Sequence, residues 1–140
     1  MVKHAILQSD FDFNFDLIAI VSSAKDYKLC WDLNKNLLVN FEKKKELEIH
    51  FKKKKKMAYF SFYLFEDEIN RARFKLLGNK SKGEYLTKDL KEADYLLLIE
   101  GKYSKDRLRL FIEKIGKLSS VQMQFKVDPN KLKQKENLIF

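Results

Sequence analysis

One cysteine, one proline and four glycines are all that the 140 residues hold of the residue types that staple, break or free a backbone. A lone Cys30 excludes an intrachain disulfide and fits a reducing compartment. So little glycine and proline leaves no flexible linker, and the chain reads as one domain over residues 1–140 with short polar loops. Long apolar runs are missing too: the longest, such as Tyr95–Ile99, fall far below the ~18 residues a membrane span needs. The opening "MVKHAILQSDFDF" carries a basic residue but no apolar stretch long enough for a secretory signal. These absences predict a soluble, cytoplasmic protein.

Chemistry-bearing patterns are equally scarce. His4 and His50 stand far apart, and with a single cysteine no zinc-ligand spacing occurs. There is no Gly-x-Gly-x-x-Gly, and "GNKSKG" (Gly78–Gly83) lacks the length of a phosphate-cradling loop. Asp10, Asp12 and Asn14 occupy the first three ligand positions of a calcium loop. Its sixth position needs Gly and holds Phe15, and its twelfth needs Glu and holds Val21, so the calcium reading fails. Cys30 falls on the apolar stripe of an expected helix and reads as packing. An enzyme would need Asp94 or Glu100 to converge with a base that no spacing identifies. No catalytic residue, cofactor or metal is expected.

What the chain does hold is charge and apolar surface in globular proportion, 35% charged and 45% hydrophobic. A domain near this size hides roughly 65–70% of its unfolded surface. Alternation predicts strands over 13–21, 47–51, 57–65, 73–77, 94–100 and 121–127. Ser23 to Asp26 resembles a capping box, and a helix is expected over 24–38. Its stripe would be Tyr27, Cys30, Trp31, Leu33, Leu37 and Leu38, with Lys25, Lys28, Asp32 and Lys35 in water. A second helix is expected over 105–118, with Leu108, Phe111, Ile112, Ile115 and Leu118 inward. Turns fall at "GNKSKG" and Asp128-Pro129-Asn130, a short helix or irregular segment at 87–93, and the apolar tail Leu138–Phe140 docks back. The expected fold is α+β: an antiparallel sheet of about five to six strands with two main helices on one face.

The net charge of +9 is uneven. Residues 1–41 and 57–101 each carry −1, whereas 42–56 carry +5 and 102–140 carry +6. The first block contains Lys43, Lys44, Lys45 and the unbroken run Lys52, Lys53, Lys54, Lys55, Lys56. The second contains Lys105, Arg107, Arg109, Lys114 and Lys117 on the expected helix, then Lys131, Lys133 and Lys135. Clustered lysines are what a polyanion-binding footprint looks like; a solvated turn between two strands is the simpler reading of the same run. Tyr59 and Tyr63 share one face of the strand that follows, where exposed aromatics would stack unpaired bases and covered ones would be core.

"DFDFNFDLIAI" followed by "KDYKLCWDLNK" resembles the start of a Bacteroidota family of unassigned activity, named for the motif "IPExxxVDY". The corresponding stretch is Thr87-Lys88-Asp89-Leu90-Lys91-Glu92-Ala93-Asp94-Tyr95, where Asp94 and Tyr95 alone match outright; "DPNKLKQKENLIF" resembles the family's C-terminus. The resemblance implies no catalytic residues. With the basic blocks it leads to the expectation of a non-enzymatic RNA-binding protein. Its partners would be ribosomal RNA, on the large subunit, and ribosomal proteins. The alternative is a protein-interaction or dimerisation module that uses strand 57–65 and the apolar tail.

Overall fold

The computed structural model describes residues 15–101, 103–133 and 135–140. His4 and the acidic alternation over residues 10–14 lie outside them. In chain order the elements are Phe15–Val21 (β1), Asp26–Leu37 (α1), Glu42–Lys43 (β2), Leu47–Phe51 (β3), Lys56–Phe60 (β4) and Phe62–Asp67 (β5). Ala72–Gly78 (β6), Lys80–Ser81 (β7), Glu84–Tyr85 (β8), Tyr95–Gly101 (β9), Lys105–Gly116 (α2) and Met123–Val127 (β10) follow.

Six strands form one antiparallel sheet in the order β10-β1-β9-β6-β5-β2. This is the expected α+β architecture. The inner strands β1 and β9 read as the near-continuous runs "LIAI" and "YLLLI" because both of their faces are covered. On one face Ile18, Ile20, Leu76, Leu97 and Ile99 pack under Leu29 and Leu33 of α1 and Leu108, Phe111 and Ile115 of α2. Both helices therefore lie on the same side of the sheet. Phe74 anchors this layer, with Phe65, Tyr103 and Phe111 each 5.3 Å away between ring centroids. Each such fully buried side chain contributes roughly 1.5–3 kcal/mol relative to exposure.

The other face is not left to water. Leu17, Ala19, Leu77, Leu96 and Leu98 meet a second layer made of three pieces. These are Ala58 and Phe60 from the β3–β4 hairpin, Leu86, Leu90 and Ala93 from the 79–94 insertion, and Leu132 and Leu138 from the tail. The hairpin reaches this position because the predicted strand 57–65 breaks at Ser61, whose carbonyl accepts from Gly78 N–H at 3.0 Å. A Cβ on Gly78 would come within 2.7 Å of Ser61 Oγ, so a larger residue there would make the Ser61 hydroxyl rotate away.

Three local expectations are corrected. The N-cap of α1 is Lys25 and makes no side-chain cap, while Ser22 Oγ accepts from Ala24 N–H one turn earlier. Also, α1 buries Leu29, Cys30, Asp32 and Leu33, leaving Tyr27, Trp31 and Leu38 exposed. The sequence offers two apolar stripes at helical spacing, and the sheet accepts the one containing Leu29. The cost of turning Asp32 inward is offset by Lys28 Nζ at 3.4 Å. In β10, Met123 is likewise exposed rather than half-buried. No helix among the described residues is long and apolar enough to cross a membrane.

Candidate nucleic-acid interface

The lysine run does join two strands, and its backbone is ordered. β3 and β4 pair up to Phe51 and Lys56, Lys52–Lys54 form one 3-10 turn, and Lys55 closes it with its N–H on Lys52 O at 3.3 Å. Lys55 adopts φ +48°, a left-handed conformation that costs an L-residue roughly 1–2 kcal/mol and that Gly or Asn tolerates better.

The five side chains divide into two sets. Lys54 Nζ lies 3.2 Å from Glu84 Oε1, and Lys56 Nζ lies 3.5 Å from Glu84 Oε2 and donates to Lys82 O at 3.1 Å. Glu84 sits on β8, exits the "GNKSKG" turn, and is almost fully covered. Burial pulls its carboxyl upward, but hydrogen bonds and charge from Lys54, then Lys56, outweigh that and hold it below its ordinary value of 4.5. Lys52, Lys53 and Lys55 instead project into solvent and make no ion pair among the described residues. Sequence reasoning missed Glu84; the one signal was a single acid directly after a lysine-bearing turn.

The pinning has a pH signature. The stability that Glu84 gains from its lysines is fully present above about pH 4.5 and is lost as the pH falls through its lowered folded-state value. Urea midpoints of wild type and Glu84→Gln are therefore expected to differ most above pH 4.5 and to converge in acid. A gap that persists unchanged at pH 3 would sink the assignment.

Between the hairpin tip and the tail lies a cleft of about 340 Å³, lined among others by Lys52, Lys53, Lys54 and Lys88 and by the acid Glu136. Lys131 and Lys133 are exposed and Lys135 half-buried on the tail that covers the same face, where Lys133 N–H is held by Asp89 at 2.5 Å. Lys43, Lys44 and Lys45 are exposed at the β2 edge, on the chain leading into the hairpin, with Lys44 N–H on Phe62 O at 2.9 Å. The α2 set is elsewhere. Lys105, Arg107, Arg109, Lys114 and Lys117 are exposed on the helix layer, across the sheet from the hairpin. Arg107 is engaged by Asn70 and the Tyr103 ring, and Arg109 by Asp106 at 3.5 Å. The sixteen basic residues therefore do not form one face.

The tyrosines separate at Ser61. Tyr59 is half-exposed on the hairpin, with its hydroxyl on Glu48 at 3.3 Å. Tyr63 is buried under α1 and donates to Asp26 at 3.0 Å; burial, then this hydrogen bond, pushes its hydroxyl well up. The interaction surface expected of strand 57–65 and the tail is divided: Met57, Tyr59, Ile139 and Phe140 are exposed, and the rest is covered. Ala58, Phe60 and Leu138 are core, while Phe140 stacks edge-on against Phe62 and lies over Lys75, whose Nζ is 4.2 Å from its ring.

The carboxylates considered for catalysis are structural partners. Glu100 pairs with buried Lys75 at 2.9 Å. Asp94 Oδ2 accepts from Ser22 N–H at 2.8 Å and Oδ1 from Lys80 at 2.9 Å. Tyr95 donates to Ala24 O at 2.5 Å, and burial followed by the charges of Asp26 and Asp94 pushes its hydroxyl up to about 12. Asp94 and Tyr95, the two residues that match the motif, thus both hold the turn that feeds α1. Burial raises the Cys30 thiol, as suits a packing residue. Compared with protein-family models, curated proteins and solved structures, the chain finds no match.

Proposed function

We propose that this protein binds RNA and performs no chemistry on it, with the lysine hairpin gripping phosphates of a folded RNA, that of the large ribosomal subunit being the specific candidate. The observation that carries this reading is the projection of Lys52, Lys53 and Lys55 into solvent from a tip whose backbone is closed by β3–β4 pairing and pinned through Glu84. A solvated turn would need no such anchoring, and Lys55 occupies a strained position that Gly would relieve. Lysines act here as point charges that tolerate varied phosphate geometry. Lys131 and Lys133, on the tail that covers this face, extend the footprint, and Lys43–Lys45 lie exposed at the β2 edge. Contacts of this kind position the protein on its RNA and carry no base sequence. The α2 cations, across the sheet, are outside this footprint.

The test is sedimentation of tagged protein through a sucrose cushion. Co-sedimentation with large subunits is expected at low salt, with release as salt rises. Protein that stays at the top and purifies free of RNA at low salt would overturn the ribosomal assignment.

A further inference from the structure

The helix layer carries a surface of a different kind. The solvent face of α1 presents Tyr27, Lys28, Trp31, Lys35 and Asn36, with Lys25 just before it. Neither acid of the helix is exposed: Asp26 accepts from Tyr63, and the buried Asp32 is paired with Lys28 at 3.4 Å. Every exposed charge on this face is therefore positive. Trp31 is 53% exposed and Tyr27 64%, one turn apart. Lys28 and Lys35 lie over the indole, with Nζ 4.6 and 4.7 Å from its centroid.

We infer that this face is a stacking platform for the unpaired bases of a single-stranded nucleic acid. Trp31 and Tyr27 take the bases; Lys25 and Lys35 take the flanking phosphates, while Lys28 neutralises Asp32 beneath the face. Aromatics interleaved with cations are what such strands require, because every base has a π-face and every linkage a negative charge. An apolar protein partner fits less well. It would have to strip water from the ammonium groups ringing the indole without supplying counter-charge, and lysine is depleted in the cores of protein interfaces. The inference rests on the nucleic-acid reading of the protein but not on the hairpin, which lies on the other side of the sheet.

Trp31 is the only tryptophan among six tyrosines, so emission excited beyond the tyrosine band reports on this site alone. Titration with oligouridylate is expected to quench it, and the quench should survive in K52Q/K53Q/K55Q. Anisotropy of the labelled oligonucleotide should show roughly 5- to 150-fold weaker binding for Trp31→Ala, the loss brought by removing one stacking aromatic, with Trp31→Phe largely restoring it. Inorganic polyphosphate and polyglutamate are the comparison probes. Oligouridylate that binds without changing Trp31 emission overturns the platform and leaves the hairpin reading standing. Equal quenching by polyphosphate overturns it in favour of charge alone, and quenching by polyglutamate but not by oligouridylate assigns the face to an acidic protein partner. Failure to bind any RNA, structured or single-stranded, overturns both readings.

Discussion

Removing the charge of Lys52, Lys53 and Lys55 together, as K52Q/K53Q/K55Q, is expected to weaken binding to structured RNA on the order of 100-fold near 0.15 M salt. The log–log salt slope should become shallower by about 2 to 3, since each phosphate contact releases ~0.7–0.9 of a counterion. Stability should stay within about 0.5 kcal/mol of wild type, because all three side chains are exposed and unpaired with any described acid. The paired control is K54Q/K56Q. Those lysines are held by Glu84, so this variant should lower the urea midpoint while changing the salt slope less. Filter binding across a salt series reads the first effect and urea denaturation the second. An unchanged slope in the triple variant would mean that the hairpin is not the RNA contact.

The largest stability effect outside the apolar core is expected at Asn79, where Asn79→Ala should cost about 3–5 kcal/mol in a urea titration. Asn79 is completely buried, and its side chain closes the 79–94 insertion on itself. Nδ2 donates to Leu90 O at 2.8 Å and Ala93 O at 3.0 Å, while Oδ1 accepts from Thr87 N–H at 3.1 Å. Alanine leaves the Thr87 N–H and the Ala93 carbonyl buried without these partners, each costing roughly 1–3 kcal/mol, and adds a small cavity. Asn79→Asp should also be severe, because a carboxylate would face two carbonyl oxygens it cannot donate to. The insertion carries Glu84, so its loosening also unpins the lysine tip. A loss below 1 kcal/mol would show that the insertion does not depend on this side chain.

Much of the architecture was legible because it is local. Period-two alternation placed Leu47–Phe51, and helical spacing placed α2 with Leu108, Phe111 and Ile115 inward. The turn at "GNKSKG" follows from Lys82 and Gly83 at positive φ. The orientation of α1 was not legible, since Tyr27, Trp31 and Leu38 repeat with the same period as Cys30, Leu33 and Leu37. Nor was the break at Ser61, which interrupts an otherwise unbroken β-prone run from Met57 to Phe65. The candidate site was half legible: the lysines were found, but not the acid that sorts them, 30 residues away from Lys54 in the chain.

By itself the sequence determined where most of the longer strands run, the two helices, the α+β class and the presence of two basic blocks, because period, turn chemistry and charge are properties of neighbours along the chain. Only the tertiary structure decided which lysines are free. It folds Lys54 and Lys56 onto Glu84, places the α2 cations across the sheet from the hairpin, and leaves Trp31 in solvent among lysines. The reason is that strand order sets which face each segment covers, and a face is shared between residues that local sequence does not connect.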